Sequence, residues 1–246
     1  METELRKEYA GAAREIFEAI ERKAPQDFSG LYYDVGQKYS NLSTNALIAI
    51  LAKATGNEDT AKTIEAALDS KKDLLKYSTV GLASYALMKF VLDEDSEPAK
   101  QVVKTIREMH ADAEEMRRYT FKEELRKDVE NSVTARLLVC TCAAIADDAE
   151  IYGDTIGAYV DMGSGKLSDG YRALSNESKA LLGISLYISG KRELGDAIAE
   201  EIKSNAKGGD ANGKAEALQV FRDSAIGVLF AARGGALKPA KNEVGV

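Results

Sequence analysis

Residues 46–68 read ALIAILAKATGNEDTAKTIEAAL. The run Ala46–Ala52 is apolar nearly all round, so a helix formed by it has to be covered on every side. Gly56 and Asn57 then interrupt the run, and a more polar segment follows in which Ile64 and Leu68 are spaced for one helical face. The stretch predicts a buried helix followed by a half-buried one.

The same alternation continues along the chain. Further apolar runs lie at 82–92, 135–146, 181–188 and 225–232, and a polar or glycine-containing break closes each of them. A more polar segment follows the breaks; the clearest begins near Ala99 and repeats apolar residues every three or four positions as far as Met116. Ser96 precedes that segment as a candidate N-cap. The pattern predicts an all-α chain of repeated antiparallel helix pairs.

A test for internal repetition finds one match at a constant offset. The matching residues are Ser29, Gly30, Asp34, Ser40, Asn41, Ser43 and Leu47 with Ser164, Gly165, Asp169, Ser175, Asn176, Ser178 and Leu182. In both copies a Gly- and Ser-containing turn leads into a buried helix. We expect Asp34, Ser40, Asn41 and their counterparts to cap helices; the alternative is that these turns line a shared ligand mouth.

Composition excludes several classes of protein. The 246 residues carry 40 Asp and Glu against 33 Lys and Arg, a net charge of -7, so the chain should repel nucleic acid. The apolar runs are too short to span a membrane, and no secretory signal is visible. Cys140 and Cys142, separated by one residue, suit neither a redox pair nor a zinc half-site and predict buried thiols in a reducing, cytoplasmic setting.

The helix pairs resemble the α/α toroid, a ring of helical hairpins found in terpenoid cyclases, protein prenyltransferase β subunits and the thioester domain of alpha-macroglobulins. The closest stretch is Gly163–Tyr187, GSGKLSDGYRALSNESKALLGISLY, which is similar to the thioester-domain repeat. Ser43–Ala54 and Val133–Ala146 are similar in kind. The chain shows no clear domain break, so we expect one domain over residues 1–235 and a flexible tail at 236–246, which has too few apolar residues to fold alone. The resemblance implies that this domain is a toroid; an open α-solenoid is the alternative.

The catalytic residues of those families are missing. The cysteines stand in Cys-Thr-Cys-Ala rather than Cys-Gly-Glu-Gln, and Asp93, Glu94 and Asp95 do not form the cyclase acid motif. The sole histidine, His110, lies on the polar side of a predicted outer helix, which leaves no zinc set. Asp147, Asp148 and Glu150 are typical of a solvated loop. We therefore expect no cofactor and no metal.

Three cations stand near the beginnings of otherwise apolar runs: Arg136, Lys179 and Arg222. In a toroid these ends could meet at one mouth of the central cavity and attract an anion, helped by the helix N-termini. The other reading is that each side chain extends to solvent along its aliphatic stem.

By elimination, the sequence favours a non-catalytic binding or scaffolding domain that recognises a protein partner or acts as a subunit of a larger assembly. The alternative is an enzyme or carrier for an apolar or anionic small molecule held in the central cavity.

Overall fold

The computed structural model describes residues 14–15, 17–22, 24, 26, 29–32, 42–70, 79–93, 96–111, 133–146, 149–161 and 163–205. Nine labelled helices lie in these ranges: α1 Leu42–Ala54, α2 Glu58–Asp69, α3 Thr79–Leu92, α4 Glu97–Ala111, α5 Val133–Ile145, α6 Ala149–Tyr159, α7 Asp169–Arg172, α8 Asn176–Ile188 and α9 Arg192–Asn205. Two short antiparallel strands, β1 Val160–Asp161 and β2 Lys166–Leu167, stand between α6 and α7.

Four helices are buried along almost their whole length, as the apolar runs predict. Every residue is buried at 45–52 in α1, 81–91 in α3, 137–144 in α5 and 177–188 in α8. We call these four the inner helices. The fifth predicted run, at 225–232, lies outside the described residues.

The remaining long helices bury one face and form the outer helices. In α2 the buried positions are Ala61, Ile64 and Leu68, whereas the first turn is exposed. In α4, Val103 and Ile106 are buried. The alternation of helix types is therefore confirmed for α1 to α4, and α9 follows it with Ile198 buried. The predicted extension of α4 towards Met116 lies outside the described residues.

The inner helices pack in chain order, α1 on α3, α3 on α5 and α5 on α8. Each then contacts the outer helix that follows it: α2 on α1, α4 on α3, α6 on α5 and α9 on α8. The described part of the chain is thus mainly helical, with an inner and an outer set of helices. The fifth apolar run, at 225–232, would belong to any closed ring and is not among the described residues. The choice between toroid and solenoid therefore stays a prediction, as do the 1–235 domain and the tail at 236–246.

Two inner helices end in the same glycine turn. Gly56 after α1 and Gly190 after α8 have positive φ angles of 85° and 79°. In each case the glycine N–H returns to the helix, to Lys53 O at 3.2 Å and to Tyr187 O at 3.2 Å. A left-handed glycine that closes a helix in this way turns the chain sharply into the next one. These turns place α2 and α9 beside their inner helices.

The capping prediction needs a correction at α8. Ser175 is the N-cap, and its hydroxyl accepts the Ser178 N–H at 3.2 Å. Asn176, which the repeat also suggested as a cap, is the first helical residue, and its side chain is exposed. For α4, Ser96 stands at the predicted cap position, with its hydroxyl 3.4 Å from the Ala99 N–H. Asp34, Ser40 and Asn41 lie outside the described residues.

A search of the described helices for a membrane span finds none that is long and apolar enough.

Candidate functional site

Of the three cations that the sequence places near helix beginnings, the two that the structure describes differ in their exposure to solvent. Arg136 lies in the first turn of α5 and is exposed. Lys179 lies in the first turn of α8 and is buried. Arg222 is outside the described residues. A three-cation mouth therefore stays a prediction.

Lys179 forms a compact cluster with two other residues. Its ammonium lies 2.7 Å from Glu201 Oε1 of α9 and 4.9 Å from the ring centroid of Tyr171 in α7. The Tyr171 hydroxyl donates to the other oxygen of Glu201 at 2.8 Å. The side chain of Lys179 is 8% exposed, against 39% for Glu201. Neither interpretation of Lys179 from the sequence anticipated Glu201 as its partner. The ammonium group forms an ion pair with a carboxylate of the outer helix α9.

Two side chains of this cluster, Glu201 and Tyr171, have shifted pKa values. Its hydrogen bond to Lys179 holds the pKa of Glu201 below the usual value, against some desolvation. Burial raises the pKa of Tyr171, and the neighbouring Glu201 carboxylate raises it further. Near neutral pH Glu201 is therefore a carboxylate and Tyr171 an un-ionised phenol.

A second cluster, formed by a lysine, two carboxylates and a tyrosine, joins α3 to α2. The Lys89 ammonium contacts Glu65 and also lies 3.0 Å from Asp69 Oδ2. The Tyr85 hydroxyl donates to Asp69 Oδ1 at 2.6 Å. Burial opposes the charge on Lys89, but hydrogen bonds to Glu65 and Asp69 outweigh it, and the pKa of Lys89 is raised. Burial, with Asp69 beside it, raises the pKa of Tyr85.

We call the two clusters, Lys179–Glu201–Tyr171 and Lys89–Glu65–Asp69–Tyr85, the layer clamps, because each ties an inner-helix lysine to an outer-helix carboxylate. The sequence analysis missed both. The sequence feature that could have predicted these clusters is a single lysine within an apolar run. A buried cation needs a carboxylate partner, and the helix that covers it can supply one.

Cys140 and Cys142 are buried thiols that form no disulfide, and their burial was predicted. Burial raises the pKa of Cys140 to about 12, although a hydrogen bond with Ser185 lowers it slightly. The Cys142 thiol donates to Ala83 O of α3 at 3.3 Å, and burial raises its pKa as well. A thiol that stays protonated is a poor nucleophile and metal ligand, so these residues pack the core.

Between the long helices α6 and α8 the chain forms the two short strands and α7. We call residues 160–161 and 163–175 the excursion. Its first half is the β1–β2 hairpin, which the sequence analysis did not predict. The Asp161 carboxylate accepts from the Gly163 N–H at 2.9 Å and from the Ser164 hydroxyl at 2.8 Å, which fixes the turn. Those bonds also hold the pKa of Asp161 low.

The second half of the excursion is anchored through α7. Tyr171 is 3% exposed and Leu174 is 9% exposed, so these two side chains fasten it to the core. Asp169, before the first anchor, and Arg172, between the two anchors, have side chains that are 96% and 84% exposed. Lys166 is exposed on the hairpin. The excursion therefore presents polar side chains on a backbone held by its own hydrogen bonds and by the Tyr171 clamp.

No set of three His, Cys, Asp or Glu side chains that could hold a metal ion occurs in the part of the chain that the structure describes. The backbone of His110 belongs to α4, as predicted, and its side chain is not among those described. Asp147 and Asp148 also fall outside the described residues.

No family model, no curated protein and no solved structure matches this chain.

Proposed function

We propose that this chain is a non-catalytic helical-repeat scaffold that binds a protein partner, with the excursion as its contact surface. The observation that carries the proposal is the set of contacts made by the buried lysines. Lys89 and Lys179 are the buried cations of the described residues. Each forms an ion pair with a carboxylate of an outer helix. Side chains that fasten helices together are arranged for rigidity rather than for turnover.

The excursion supports partner binding for a different reason. Binding residues are commonly found on loops that a rigid scaffold positions. Here, the loop is ordered by the Asp161 turn and by Tyr171, while Lys166, Asp169 and Arg172 face outwards. A surface already fixed in one conformation loses little entropy when a partner binds.

The test is a comparison of three full-length proteins immobilised at equal density. They are the wild type, the excursion variant Lys166→Glu/Arg172→Glu, and the control variant Lys62→Glu/Arg192→Glu, which reverses two exposed cations on α2 and α9. Exposed charges contribute little to stability, about 0–1 kcal/mol each, so both variants should fold. Circular dichroism and urea unfolding check this before binding is measured.

Proteins retained from a native lysate are quantified by mass spectrometry, and the candidates are then purified and titrated. We expect at least one partner to bind the wild type and the control saturably and to bind the excursion variant more weakly, by tenfold or more in Kd. Equal binding by all three proteins would reject the excursion as the contact surface. The absence of any saturable partner would reject the binding function itself.

A further inference from the structure

We draw no further inference here: the strongest candidate, the Lys179–Glu201–Tyr171 clamp between α8, α9 and α7, belongs to the site already described, and nothing in the described residues points to a ligand there.

Discussion

The substitution Gly195→Ala tests how closely the outer layer approaches the inner one. Gly195 lies in the first half of α9, where alanine would normally stabilise the helix by about 0.5–1 kcal/mol. Here a Cβ atom at position 195 would stand 2.7 Å from Cζ and 2.8 Å from Cδ1 of Tyr187 in α8. Non-bonded carbons prefer about 3.5–4.0 Å, so α9 or the ring would have to move by roughly 0.7 Å or more.

The ring has little freedom to make that room. Tyr187 is 6% exposed, and its hydroxyl donates to Asp196 at 3.2 Å, on the residue next to Gly195. Adding a methyl group to a packed interface costs about 1–3 kcal/mol. After the gain in helix propensity is subtracted, we expect Gly195→Ala to lower the free energy of unfolding by roughly 1 kcal/mol, and by about 2.5 kcal/mol at most.

Urea titration followed by far-UV circular dichroism measures this change, and α6 supplies the control. Gly153 is exposed, and a Cβ there would meet nothing within 4 Å. Gly153→Ala should therefore raise stability by about 0.5–1 kcal/mol. In a Tyr187→Leu background, which removes the outer ring atoms, Gly195→Ala should become neutral or stabilising. If Gly195→Ala stabilised the wild type as Gly153→Ala does, the close approach of α9 to α8 would be refuted.

Three further predictions concern the cap, the clamp and the thiols. Ser175→Ala should cost about 1 kcal/mol and Asn176→Ala less than about 0.5 kcal/mol in the same urea assay, because Ser175 is the residue that caps α8; the opposite order would contradict that assignment. Glu201→Gln should cost about 1–2 kcal/mol at neutral pH, since Lys179 loses its ionised partner, whereas the exposed Glu200→Gln should have little effect. Because the pKa of Glu201 is lowered in the folded protein, its carboxylate stabilises the fold above the usual pKa of 4.5, and this stabilisation is lost on acidification. The difference in free energy of unfolding between wild type and Glu201→Gln should therefore shrink below about pH 4.5. An increase of that difference at low pH would contradict the clamp. Both cysteines should react with a thiol reagent only as fast as the protein opens, then fully in urea; rapid labelling of the native protein would contradict their burial.

Helix positions and their burial were predictable from the sequence because both depend on local spacing. A helix formed by Ala46–Ala52 is apolar on every side and must therefore be buried, and Ile64 with Leu68 marks the buried face of the next helix. Gly56 was readable as a helix end because few other residues tolerate its backbone angle. Gly190 likewise stands in the break that closes the apolar run at 181–188.

The contacts that define the candidate site were not predictable in this way, since they join residues far apart in the chain. Nothing in the periodicity of α8 specifies that Lys179 meets Glu201, because the partner depends on how far α9 slides along α8. Asn45 is a similar case: its side chain binds the backbone N–H and C=O of Tyr32, at 2.8 and 2.7 Å. The strands of the hairpin are two residues each, too short for an alternating pattern to appear.

The layer clamps restrict how the inner and outer helices can align with each other. Apolar faces rich in alanine and leucine can pack in several neighbouring registers with similar energy, whereas a buried lysine is stable only where a carboxylate meets it. In α8 and α9 two polar pairs run in opposite order along the helices, Lys179 with Glu201 and Tyr187 with Asp196, so they fix an antiparallel alignment. Tyr171 joins the same cluster from the excursion. The contacts that set the register of α9 on α8 thus also hold α7 of the excursion, so the clamp would position the contact surface that we propose.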